Sequence, residues 1–186
     1  MCTITALSSA NASCSIQPGI QKAYFFDTAD VSAITFDAST REVSAITLAA
    51  STYVRAINFD SDEAIVNVEG TSSYSKNFNQ SILFNVNGRT AAIREVIQSW
   101  DACSCLGVIA ILENGQRLWL GLEFDSTDAS DVYSFKPKKN EAYTYASGTR
   151  LDGDKTNRFS RTYMFENLRN DAVQVASSVD LAALEE

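Results

Sequence analysis

Apolar and polar residues alternate along most of this chain with a period of two, the spacing of a β-strand whose two faces differ. The longest such stretch is residues 74–86. Tyr74, Phe78, Ile82, Phe84 and Val86 share one face, with Lys76 and Gln80 as polar exceptions; Asn77, Asn79, Ser81 and Asn85 share the other, broken by Leu83. One apolar and one polar face is the pattern of an antiparallel sheet packed on one side. Residues 22–26, 53–59, 64–69, 141–146 and 158–166 read as further strands, with turns at 27–30, 61–63 and 136–140.

One local pattern repeats. Asp30-Val-Ser-Ala-Ile-Thr-Phe36 is echoed twelve residues later by Glu42-Val-Ser-Ala-Ile-Thr-Leu48. A strict period of two places Val, Ala and Thr of each copy on one side, and Ser and Ile on the other. The polar link at 37–41 makes the pair a hairpin. The repeat is too short for a solenoid.

The period changes once. Ile93, Val96, Ile97 and Trp100 follow i, i+3, i+4, i+7 spacing after Asn87-Gly88, with Thr90 or Asn87 as a cap, so residues 89–101 are expected to form one amphipathic α-helix. Arg94, Glu95 and Gln98 lie on its polar face. The run 107–112 is wholly apolar, as in a strand buried on both faces. Asn114-Gly115 then predicts a type I′ hairpin turn into a return strand, 117–124. Residues 125–131 and 147–157 read as polar loops, the second a mobile one, and 179–184 as a helical turn or an extended arm. The sequence therefore predicts a mainly β domain, an antiparallel β-sandwich or barrel packed by one helix. The expected division is an N-terminal arm or loop (1–20), the β domain (21–166) and a C-terminal tail or arm (167–186).

Length and composition narrow this picture. The 186 residues suit one domain with a core of its own. The formal net charge is −8; residues 1–88 hold four Lys/Arg against eight Asp/Glu, and 140–186 hold five against eight. No basic stripe offers a grip on a phosphate backbone. The balance suits an ordinary acidic soluble protein, and it also suits a channel wall that DNA must pass without sticking. No stretch reaches the roughly 18 apolar residues of a membrane helix. The start Met1-Cys2-Thr3-Ile4-Thr5 lacks the charged and apolar regions of a secretory signal, so synthesis in a cytoplasm is expected, with Cys2, Cys14, Cys103 and Cys105 reduced.

Candidate chemistry is sparse. The chain has no histidine, which removes Ser-His-Asp and Cys-His nucleophile arrangements and the common zinc sites. Neither GxGxxG nor GxxxxGK[ST] occurs. Cys103-Ser-Cys105 supplies too few ligands for a closed zinc site, and its plainer reading is two small residues packed between helix and strand. Asp152-Gly153-Asp154 resembles the start of a calcium loop, but Asn157 and Tyr163 stand where that loop needs Gly and Glu. No spacing selects a catalytic pair among the carboxylates. Tyr133, Tyr143 and Tyr145 offer a sugar-stacking platform, with ordinary sheet packing as the plainer reading. No catalytic, cofactor-binding or metal residue is assigned, and the chain is not expected to be an enzyme.

The succession of motifs resembles the phage tail tube proteins of Bacteroidetes-type phages and prophages. The resemblance rests on Cys2-Thr-Ile-Thr-Ala-Leu with Cys14, on Lys22-Ala-Tyr-Phe-Phe-Asp27, and on the two Val-Ser-Ala-Ile-Thr elements. The long strand 79–86, the helix and Leu112-Glu-Asn-Gly-Gln-Arg-Leu-Trp-Leu-Gly121 follow in order, covering roughly residues 2–165. The chain departs from the family at Ser15-Ile-Gln-Pro-Gly-Ile20, where glycines are usual, and in its C-terminal tail. The resemblance implies a tail-tube-like fold whose inner strands join across subunits into rings, commonly hexameric, with the helix outside. Stacked rings would conduct DNA without binding it specifically. The expected partners are copies of this chain and other phage tail proteins, with no membrane; the expected location is the virion tail, and loops 71–77 and 147–157 are candidate ring contacts. Alternatives from the same sequence are another virion component (a head–tail connector, stopper or capsid decoration protein) and a carbohydrate-binding β-sandwich.

Overall fold

The computed structural model describes residues 19–37, 39–40, 42–59, 64–71, 77–87, 95, 106–124, 135–137, 142–149, 157–168 and 170–185. Thirteen strands are present among them. They are β1 (Ile20–Asp27), β2 (Val31–Asp37), β3 (Glu42–Leu48), β4 (Arg55–Asn58), β5 (Ala64–Thr71), β6 (Asn77–Asn87), β7 (Leu106–Leu112), β8 (Arg117–Leu120), β9 (Leu122–Phe124), β10 (Phe135–Pro137), β11 (Ala142–Thr149), β12 (Asn157–Leu168) and β13 (Val173–Gln174). All pairings between these strands are antiparallel, in a five-stranded sheet β13-β8-β7-β1-β4, a four-stranded sheet β11-β12-β6-β5, and the pairs β2-β3 and β9-β10. The protein is mainly β, and none of these sheets closes into a barrel. The helix expected over 89–101 lies outside the described residues apart from Glu95, which is helical and exposed.

The five-stranded sheet is the middle layer, because its central strands β1, β7 and β8 carry buried apolar side chains on both faces. On one face Ala23, Phe25, Leu106, Val108, Ala110 and Leu120 meet Ala64, Ile82, Phe84, Tyr163 and Phe165 of the four-stranded sheet. On the other face Tyr24, Phe26, Ile109, Trp119 and Val173 meet Val43 of β3 and Val175, Val179 and Leu181. The continuous run over 107–112 is thus a strand buried on both faces, as expected. The alternation in β6 also holds: Ile82 and Phe84 are buried, Asn79 and Leu83 are exposed, and Gln80 is buried on the apolar face.

The faces expected for the β2-β3 hairpin are overturned. Val31 pairs with Leu48 and Ala33 with Thr47, so Ser32 is an extra residue on β2; Thr35 pairs with Ala45 and Phe36 with Val43, so Ser44 is an extra residue on β3. Each repeat therefore carries a β-bulge at its serine, and a bulge reverses which face the following side chains take. Val31, Ile34 and Phe36 turn to the core with Val43, Ile46 and Leu48, while Ala33, Thr35, Ala45 and Thr47 face out. The two hydroxyls are used alike: Ser32 Oγ donates to the Thr47 carbonyl at 3.0 Å, and Ser44 Oγ donates to the Thr35 carbonyl at 3.3 Å. The echoed sequence is the signature of a hairpin whose strands are related by a local two-fold centred on the Ile34–Ile46 pair.

Other corrections have local causes. The hairpin at 113–116 is not type I′. Gly115 alone takes positive φ (84°), and its N–H donates to the Leu112 carbonyl, making a three-residue loop rather than a two-residue one. The return strand 117–124 breaks into β8 and β9 at Gly121, φ 78°. A Cβ there would overlap the Phe165 ring, so glycine is required twice over. Lys136 and Pro137, expected in a turn, belong to β10, paired to β9. The loop expected over 147–157 is shortened by β11, which runs to Thr149, and by β12, which begins at Asn157; 150–156 lies outside the described residues.

The bulge makes a sharp prediction. Deleting Ser44 would turn fully buried Val43 outward, so it should cost about 2 kcal/mol more than Ser44→Ala, which removes one exposed hydrogen bond worth about 1 kcal/mol or less. Urea denaturation of the two variants measures the difference, and equal losses would show that the bulge does not set the face.

Candidate functional site

With both faces of the middle sheet covered, the exposed features are the outer layers and the strand edges. The four-stranded sheet has its inner face in the core and its outer face in solvent. Strand pairing arranges the outer face in rows: Ile65 opposite Leu83 and Leu83 opposite Thr162; Asn67 opposite Ser81 and Ser81 opposite Met164; Glu69 opposite Asn79. A shallow cleft of about 240 Å³ runs over Asn67, Glu69, Asn79, Ser81, Met164 and Glu166. Its walls are polar and carry two carboxylates. Ile65 and Leu83 stand beside it as exposed apolar side chains, 55% and 37% accessible.

The outer strands of this sheet are β5 and β11, each eight residues long and each paired on one side only among the described residues. Because the four strands alternate in direction, β5 and β11 run opposite to each other. The edges of the middle sheet are shorter, four residues in β4 and two in β13.

The inner face is apolar except at a few points, and one polar group there joins three segments. Gln80 is 1% exposed. Its Oε1 accepts from the Gly121 N–H at 2.9 Å, and its Nε2 donates to the Asn170 carbonyl at 3.1 Å. Asn170 Nδ2 in turn donates to the Leu122 carbonyl at 2.8 Å. Next to Gln80, on the solvent side, Asn79 Oδ1 accepts from the Asn167 N–H at 3.1 Å. That contact sits where β12 bulges between Phe165 and Leu168, with Asn167 at φ 57°. Sequence reading marked Gln80 only as an exception on an apolar face; a buried amide needs partners, and that was the available signal.

A second exposed feature is the strap of residues 175–185, which follows β13 and crosses the other face of the middle sheet. Val175 bridges Val43, and Glu185 bridges Val54. The Arg117 guanidinium donates to the Val179 carbonyl at 2.5 Å. At its end Lys22 Nζ donates to Glu185 Oε1 at 2.6 Å while lying over the Tyr24 ring, 4.6 Å from its centre. Residues 182–184 form a 3-10 turn, the helical of the two forms expected for 179–184.

The residues weighed as chemical candidates do not converge in the described structure. Cys2, Cys14, Cys103, Cys105, Asp152, Asp154, Tyr133, Arg94 and Gln98 lie outside the described residues. Tyr143 and Tyr145 occupy β11 opposite Tyr163 and Arg161. Tyr163, which stood at the glutamate position of the calcium template, is a fully buried core residue. Among the described residues no group of three or more Cys, Asp or Glu side chains could hold a metal ion, and no helix is long and apolar enough to cross a membrane.

The strap's ion pair gives a pH prediction. The hydrogen bond from Lys22 holds the Glu185 carboxyl below its ordinary value of 4.5, and the same bond raises Lys22 above its ordinary 10.5. The depressed acid stabilises the docked strap above 4.5 and loses that contribution as pH falls through its folded value. The raised base contributes below 10.5 and loses it as pH rises through its own folded value. The Val54 N–H donates to the Leu184 carbonyl, so its hydrogen-exchange protection, corrected for intrinsic rate, should be flat within that window and fall on both sides. In Glu185→Gln the acidic fall should disappear; an unchanged profile would show that the pair does not hold the strap.

Comparison with protein families, with curated proteins and with solved structures found no match to this chain.

Proposed function

We propose that this chain is a self-assembling structural subunit of a phage tail tube, whose copies join edge to edge into rings, hexameric by the resemblance, that stack into a conduit for DNA. The observation that carries this reading is the pair of oppositely directed eight-residue strands at the edges of the four-stranded sheet, each paired on one side only among the described residues. An even number of alternating strands lets β5 of one copy lie antiparallel to β11 of the next, and the same step can repeat without changing the pairing. A head-to-tail contact of that kind closes into a ring and removes the exposed edges that soluble monomers otherwise guard. β5 has no proline or lysine to block such pairing, and it exposes Ile65. The solvent face of the sheet, with Glu69 and Glu166, and the net charge of −8 suit a wall that repels a phosphate backbone.

Rings present once per particle, as in a head–tail connector, would share this geometry, and stacking separates the two readings. Negative-stain microscopy of the concentrated protein should show stacked rings. Ile65→Lys puts a charge on the open edge and should raise the concentration needed for assembly at least tenfold, with circular dichroism unchanged. A wild-type chain that sediments only as a monomer at every concentration would overturn the proposal; single unstacked rings would move it to the connector.

A further inference from the structure

Hydrophobic burial is non-directional, so two layers that meet through apolar side chains are placed by how those side chains interdigitate and by the few directional contacts between them. The interface between the four-stranded and middle sheets is of that kind, built on Phe25, Phe59, Phe84 and Tyr163, whose ring centres lie 5.4–6.3 Å apart. Directional contacts help select one arrangement. Gln80 makes two of them in a buried setting, to the Gly121 N–H and to the Asn170 carbonyl. The two targets belong to different segments: Gly121 is the break between β8 and β9, and Asn170 links β12 to β13. Phe165, from the same sheet as Gln80, rests where Gly121 has no side chain. Asn79 holds the β12 bulge from the opposite face of the same strand.

We infer that Gln80, with Asn79 beside it, is the positioning residue for assembly: it fixes the register of the four-stranded sheet on the middle sheet and so the angle at which β5 and β11 meet neighbouring copies. The inference rests on the assembly reading above. An apolar side chain of similar length fills the same space but leaves the Gly121 N–H and the Asn170 carbonyl without this partner. The sheet then keeps its burial and loses its single register. A carboxylic acid behaves differently. Protonated glutamate reproduces both bonds, its carbonyl accepting from Gly121 and its hydroxyl donating to Asn170. Ionised glutamate keeps the first and faces the Asn170 carbonyl with a second acceptor. Burial also raises the pKa of such a group.

The test compares the full-length chain with Gln80→Met and Gln80→Glu. Gln80→Met should remain a cooperatively folded monomer, show more than one backbone amide signal for Gly121, and need at least ten times the wild-type concentration to assemble. Gln80→Glu should assemble near wild-type concentration at about pH 5 and fail at about pH 8, while the wild type assembles at both. A pH-dependent rescue is not expected from a general loss of stability. If the wild type assembles and Gln80→Met assembles at the same concentration with one Gly121 signal, the inference falls and the assembly reading stands. If the wild type never assembles, the role in assembly falls with that reading. The Gly121 signals then decide whether Gln80 sets the register at all: several signals in Gln80→Met keep that part, and one removes it.

Discussion

Trp119 and Leu120 are consecutive residues, both fully buried, on opposite faces of one strand. The same holds for Phe25 and Phe26, and for Val108 and Ile109. Burying large side chains on both faces of a sheet, at about 1.5–3 kcal/mol each, requires a layer above and a layer below. The four-stranded sheet supplies one. The bulged hairpin and the strap supply the other together: the hairpin brings Val31, Ile34, Phe36, Val43, Ile46 and Leu48, and the strap brings Val175, Val179 and Leu181. With its faces consumed, the middle sheet has little left to offer a partner except short edges. The outer sheet, with a solvent face and two long edges, is therefore the surface on which the proposed assembly relies.

The outer sheet is attached by an interface of aliphatic and aromatic side chains, whose burial is non-directional. Its few polar contacts matter more for geometry than for stability. Gln80 reaches across to the residue that ends β8 of the middle sheet, and the glycine there admits Phe165. A subunit that must repeat around a ring needs its edges at a reproducible angle. A small tilt per copy accumulates around the closure, so one buried amide can decide whether a repeat closes.

Much of the architecture was legible in the sequence. Strands β1, β5, β6, β7 and β12 follow from period-two alternation or from a continuous apolar run, and the solvent face of β6 was read residue by residue. What escaped reading was what breaks periodicity. The serine bulges reverse the faces of both Val-Ser-Ala-Ile-Thr copies, and a repeat counted by two cannot reveal an inserted residue. Gly121 splits a strand because its neighbour is Phe165, forty-four positions away in sequence, and local pattern carries no trace of that contact. The strap was read only as a tail or arm because its buried residues are spaced to cross several strands rather than to follow one. Gln80 stood out as an exception, but its partners Gly121 and Asn170 are remote in sequence.

The claim on which the rest turns is that the long edges of the four-stranded sheet are where copies meet. Hydrogen–deuterium exchange read by mass spectrometry, at concentrations below and above assembly, addresses it directly. Backbone amides of β5 and β11 should become protected on assembly, while those of β7, already paired on both sides, stay unchanged. Assembly that leaves β5 and β11 exchanging as in the monomer, with protection appearing elsewhere, would show that copies meet through another surface.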